Sequence, residues 1–170
     1  MSQEKKHITQ GERAVGTQPE EVISTILGSC VSCCLWDPVA KVGGMNHMLL
    51  TVSTRSAGVC NLAGINAMEL LINDILKLGG SRDRLRAKAF GGARMVAGLS
   101  DIGRVNSEFT LDFLAKEGIE CEKHSLGGET ARHIMFWPAT GRALQKIRTD
   151  EIVEEVPAPA PETGNDLELF

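Results

Sequence analysis

No stretch of the sequence approaches the roughly 18 uninterrupted apolar residues that a membrane-spanning helix needs. The opening, MSQEKKHITQGE, is too polar for a secretory signal, so the expected compartment is the cytoplasm. Neither charge is in excess. The 18 basic and 22 acidic residues leave a formal −4, and the first 150 residues carry 18 basic against 16 acidic. That near-neutral balance gives no support for nucleic-acid binding or polybasic membrane adhesion, which need a basic stripe or patch. Repeats at solenoid or propeller periods are missing too. Gly91-Gly92 and Gly127-Gly128 lack the spacing of a phosphate- or dinucleotide-binding loop and read as bends needing unusual backbone angles. Cysteine comes as an odd number, at 30, 33, 34, 60 and 121, which in a reducing compartment argues against a disulfide framework.

What remains is the composition of an ordinary globular protein, 42% apolar and 24% charged over 170 residues, about one domain's worth. Residues 1–150 are expected to form that domain. Beyond Asp150 the composition shifts: EIVEEVPAPAPETGNDLELF holds three of the six prolines, six acidic residues and no Lys or Arg. Pro-Ala alternation favours a stiff, extended spacer, and the apolar tip LELF reads either as a docking peptide for another component or as a frayed end.

Within residues 1–150, Glu21 to Leu27 is a β-rich run ending at Gly28, and Val31, Cys33 and Leu35 alternate with Ser32, Cys34 and Trp36 as in a strand. The turn signal Asp37-Pro38 leads into a second apolar stretch, Val42 to Val52, which predicts a hairpin. Leu62, Ile65, Met68, Ile72, Ile75 and Leu76 fall at helical spacing before Gly79-Gly80, and Val105, Phe109, Phe113 and Leu114 do so before Gly118. Residues 84–90, 119–124, 133–137 and 143–147 read as further strands. His7 falls in a start expected to be mobile.

A four-residue loop at Asp37 to Ala40 would set Cys30 opposite His47, on one face of the hairpin, with Cβ atoms about 4.5–5.5 Å apart. A free thiol is mostly protonated at neutral pH and needs a base. An adjacent imidazole accepts the thiol proton and later gives a proton to the leaving group, while a third polar side chain fixes its ring. Ser24 and Thr25 are the candidates for that third group, and the Cys30 amide for an oxyanion donor. The plain alternatives are structural: cysteine is among the most buried residue types, and Gly28-Ser29 reads equally as a strand-linking turn. Cys30-x-x-Cys33 lacks the helix N-terminus of a thioredoxin-like redox pair. Zinc held by Cys30, Cys33, Cys34, His47 or Cys60 lacks a second Cys-x-x-Cys and finger spacing. His124 and His133 have no recognisable acid or nucleophile beside them in sequence.

The segments LGSCVSCCLWDP at 27–38, GGMNHMLL at 43–50, FGGARM at 90–95 and LGGETARHIMFWPATG at 126–141 strongly resemble the CheD family of bacterial chemoreceptor glutamine deamidases. The resemblance implies an α/β fold, a strand-rich core of layered or sandwiched sheet flanked by helices, similar to the cysteine-histidine deamidating toxins. It implies a cysteine-dependent amidohydrolase, free of metal and organic cofactor, that converts receptor glutamines to glutamate. The nucleophile falls on Cys30 and the base on His47. The third position, usually threonine six residues before the cysteine, falls on Ser24 with Thr25 next to it. Gly28, Ser29, Gly44 and Asn46 are the candidate substrate or oxyanion environment. The implied partners are chemoreceptor cytoplasmic domains and a CheC-type phosphatase, and the competing reading is an adaptor that binds them without catalysis.

Overall fold

A computed structural model describes residues 4–50, 57–95, 102–148 and 167–170. It is built of two five-stranded sheets. The first runs in the order β1 (Lys5–His7), β3 (Val22–Leu27), β8 (Arg132–Trp137), β9 (Arg142–Ile147), β10 (Leu167–Leu169); the second runs β2 (Arg13–Gly16), β5 (Val42–Asn46), β4 (Val31–Asp37), β6 (Arg86–Gly91), β7 (Glu120–Leu126). Both are mixed, since β1 pairs parallel to β3 and β6 parallel to β7. Two helices, α1 (Ala57–Lys77) and α2 (Ile102–Lys116), pack on the second sheet. The expected strand-rich α/β fold with flanking helices is thus what forms.

Side-chain alternation along each strand divides the core in two. Val31, Cys33 and Leu35 of β4 turn toward the helices and pack with Met68, Leu71, Ile72 and Ile75. Cys34 and Trp36 turn the other way, into the space between the sheets, where they meet Ile23 and Leu27 of β3, Met45 of β5, Phe90 of β6, and Ile134 and Phe136 of β8. Leu62 and Ile65, expected in the α1 stripe, are exposed instead. The stripe covers the sheet only from Met68 onward.

The β4–β5 turn forms one step later than its sequence predicts. Asp37 pairs with Val42 and Trp36 with Gly43, so the loop is residues 38–41 and every partner shifts by two positions. The reason is Asp37 itself, wholly buried, whose carboxylate accepts the amides of Val39, Ala40 and Ser81 and the Arg84 guanidinium. The side chain closes the loop from within the strand rather than from the turn. Burial alone would raise its pKa, but Arg84 and the three amides outweigh it and hold the carboxyl well below its usual range. Asp37→Ala orphans these donors and should lower unfolding free energy by about 3 kcal/mol, read as a lower denaturation midpoint at pH 7. Because the folded pKa is depressed, the difference from wild type should persist above about pH 4 and shrink as pH falls below it.

Three strands were not legible in the sequence: β1, which contains His7, β2, and β10, which seats residues of the tail tip against β9. The proline-rich spacer, 151–166, and the 51–52 end of the second hairpin stretch lie outside the described residues.

Candidate active site

Strand alternation decides which side chains share a site. On β3, Thr25 points with Ile23 and Leu27 into the inter-sheet space, whereas Ser24 points to the outer face, where its hydroxyl meets Nδ1 of His7 at 3.0 Å. On β5, Met45 faces the inter-sheet space and Asn46 faces α1, so the next residue, His47, turns back inward. Cys30, just before β4, packs against the same inter-sheet cluster. Thr25, Cys30 and His47 therefore converge from two facing sheets on one mouth of the sandwich.

The shifted register changes how two of them meet. Val31 pairs with Met48, so His47 is the diagonal neighbour of Cys30 rather than its direct opposite. A two-residue shift preserves the face, and diagonal neighbours stand about 7–8 Å apart, within reach of an imidazole. Among the described residues the Cys30 sulfur has no hydrogen-bond partner. Thiol–imidazole contacts are often long in unliganded enzymes and tighten when substrate binds.

His47 is held firmly. Its backbone amide donates to Glu12 O at 3.0 Å, its carbonyl accepts from Gly11 N at 2.9 Å, and its Nδ1 lies 2.6 Å from Thr25 Oγ1. Thr25 Oγ1 donates to the buried carbonyl of Ile8 at 2.7 Å. A hydroxyl has one hydrogen, and a carbonyl only accepts, so the Thr25 hydrogen goes to Ile8 and its oxygen must accept from His47. That assigns the proton to Nδ1 and leaves Nε2 with its lone pair. The segment 8–12 between β1 and β2, silent in the sequence, thus orients both groups.

Burial, and then the charge of His7, lower the pKa of His47, with Glu12 pulling weakly the other way. Half-burial raises that of Cys30. Near pH 7 the pair rests as neutral thiol and neutral imidazole, the imidazole ready to accept a proton.

The backbone around Cys30 is pinned from three sides. Ala93 N donates to Gly28 O at 3.0 Å, Asn106 Nδ2 to Ser29 O at 2.9 Å, and Gly92 N to Cys30 O at 2.8 Å. Gly91 and Gly92 have φ of +112° and +66°, the unusual angles their pairing in sequence suggests, and a Cβ on Gly91 would collide with the Cys30 carbonyl. The Cys30 amide has no acceptor among the described residues, which leaves it available to an oxyanion. Asn106 also accepts from Leu50 N at 2.9 Å, tying α2 to both arms of the site. No local pattern marks an asparagine in a distant helix for this role. A cleft of about 470 Å³ abuts this turn, lined by Gly92, Arg94, Arg104 and Gly127 among others.

The remaining candidates are placed elsewhere. Gly44 lies under α1, where a Cβ would press on Ala14 O and Leu71. Asn46 is buried facing α1, its Oδ1 accepting from Cys33 N at 3.0 Å and its Nδ2 3.5 Å from Met68 Sδ. Cys33 and Cys34 are fully buried with thiol pKa values pushed well up by that burial. Cys30, Cys33, Cys34 and Cys121 are free thiols; the Cys60 side chain lies outside the described residues. Among the described residues no three His, Cys, Asp or Glu side chains are grouped to hold a metal ion. None of the described helices is long and apolar enough to cross a membrane.

Comparison with known proteins places these features in context. The family profile described as CheD chemotactic sensory transduction matches residues 53–147. A protein of Acidiphilium cryptum named "Probable chemoreceptor glutamine deamidase CheD" is 54% identical over 177 residues, covering 96% of this chain and 92% of that one. Proteins of the same name from a Caulobacter species (strain K31) and Agrobacterium fabrum are 48% and 46% identical. These alignments cover 98% and 96% of this chain, and 93% and 95% of the respective relatives.

Proposed function

The chain belongs to the CheD family, and from that membership and the geometry of the site we propose that it is a chemoreceptor glutamine deamidase working through a Cys30 thioester. The observation that supports the mechanistic part is the Thr25–His47 hydrogen bond, which puts the ring proton on Nδ1 and leaves the Nε2 lone pair free, with Cys30 packed against the same inter-sheet cluster.

In this reading Nε2 takes the Sγ proton as sulfur bonds to the glutamine carboxamide carbon, and the Cys30 amide steadies the oxyanion. The His47 imidazolium then gives its proton to the departing nitrogen, the C–N bond breaks, and ammonia leaves a thioester. Water, deprotonated by Nε2, attacks that carbon. The C–S bond breaks, and glutamate and the free thiol result. The side chains suffice for every step. Substrates are receptor cytoplasmic segments, a CheC-type phosphatase is a further partner of the same reading, and the cytoplasm is where it acts.

The direct test is mass spectrometry of a receptor cytoplasmic fragment incubated with the protein, which should show the small mass gain of amide becoming acid at particular glutamines. A receptor that is bound yet leaves every glutamine intact would instead make the protein an adaptor.

The pKa directions add a pH prediction. The base must be neutral, so kcat/KM should fall on the acid side with a midpoint below the ordinary histidine value of about 6.5. The raised thiol pKa places the alkaline limb above the ordinary cysteine value, leaving a plateau through pH 7–8. An acid limb centred above pH 7 would contradict a neutral resting pair.

A further inference from the structure

The edge of the first sheet opposite β1 is closed by the chain's own last residues. Leu167 pairs with Lys146, Glu168 with Gln145 and Leu169 with Leu144. The ladder continues through Phe170 N to Ala143 O at 2.8 Å and Ala143 N to Phe170 O at 3.2 Å. Leu169 stays exposed, but Phe170 turns into the inter-sheet space and sets its ring edge-on to Phe90, with centroids 5.2 Å apart.

Lys88 completes the seat. It is 8% exposed, lies 5.2 Å from the centre of the Trp36 ring, and donates from Nζ to Gly141 O at 2.7 Å and to Phe170 O at 2.6 Å. A buried ammonium has three hydrogens to satisfy, and among the described residues before the tail only the Gly141 carbonyl accepts from this one. The second comes from the tail. Without residues 167–170, Lys88 loses that acceptor, Phe90 loses its cover, and β9 becomes an open edge. An open ladder, an aromatic slot and a buried cation aimed at a main-chain oxygen are the elements of a site for an extended peptide.

We propose that the β9 edge, with Lys88, Phe90 and Trp36, is a peptide-docking site for extended segments that present a Phe to the slot beside Phe90, and that residues 167–170 occupy it in cis as a releasable latch. The 18 residues between Arg148 and Leu167 tether the latch. A linker of that length spans about 24 Å if flexible and gives an effective concentration near the millimolar range. Even a weak peptide therefore stays seated, and an outside competitor must overcome that concentration. The strand seated on the β9 edge lies three strand spacings from β3, about 14 Å, while Phe90 at the base of the slot belongs to the same inter-sheet cluster that Cys30 packs against.

The test uses the full chain and a fluorescent peptide of residues 161–170. Phe170→Ala removes the latch's anchor and should bind the peptide by anisotropy at least tenfold more tightly than wild type. A peptide with its own Phe replaced by Ala should not bind either. Hydrogen exchange on the unmutated chain should show the Ala143 amide protected, and Phe170→Ala should release it without changing the rate of receptor deamidation. Failure of Phe170→Ala to bind the peptide at millimolar concentration, equal binding by wild type, or an unprotected Ala143 amide would each overturn the proposal. So would concentration-dependent dimers that seat the tail on a second copy.

Discussion

Cys30→Ala is expected to lower receptor deamidation by more than about a thousandfold while leaving the fold intact. Of the described thiols, Cys30 alone stands at the mouth of the sandwich beside a base. It is half-buried, its carbonyl is held by Gly92 and its neighbours by Ala93 and Asn106. Replacing the sulfur by hydrogen removes the atom that the proposed mechanism bonds to the substrate and disturbs none of those backbone contacts. The control is the pair three and four residues on. Cys33→Ala and Cys34→Ala open small cavities in two packed clusters and should cost stability, about 1 kcal/mol each, yet keep deamidation within a few-fold. Rates by mass spectrometry and denaturation midpoints on the same three proteins separate the outcomes. More than a tenth of wild-type activity in Cys30→Ala would rule out the thioester route.

The contrast between Cys30 and Cys33 was already present in strand alternation, and so was the hairpin that carries it. The period-2 pattern of 31–36, the Asp37-Pro38 turn and the helical spacing from Met68 onward are local signals, and they survive folding because the elements they specify are buried on the faces they predict. The register was not local. Asp37 closes its loop through Ser81 and Arg84, more than forty residues away, and moves the turn one step along the chain. The short strands Lys5–His7 and Arg13–Gly16 are too brief for periodicity and form because β3 and β5 offer edges to pair with. Segment 8–12 and Asn106 act on the site through backbone atoms and a lone amide, which leave no pattern in sequence. The choice between Ser24 and Thr25 needed only one further inference, that Ile23 and Leu27 are core, because alternation then sends Thr25 inward with them.

That choice sets the last prediction. His47→Ala should reduce deamidation by about 10²- to 10⁴-fold, the usual contribution of a general acid–base group. Thr25→Val preserves shape but cannot accept from Nδ1–H, and it deprives Ile8 O of its donor. The imidazole can then turn, or carry its proton on Nε2, and the rate should fall by tens of fold. Thr25→Ser restores the hydroxyl and should recover most of that loss, which a merely structural role for the methyl group would not produce. Ser24→Ala acts on the far face, where among the described residues only His7 loses a side-chain partner, and should leave the rate within two- to threefold. Nitrogen chemical shifts of His47 give an independent reading: Nδ1–H in wild type and Thr25→Ser, a mixture of tautomers in Thr25→Val. If Ser24→Ala were the damaging substitution and Thr25→Val the silent one, His47 would have to be oriented from the outer face of the first sheet, and its hydrogen bond to Thr25 would have no part in catalysis.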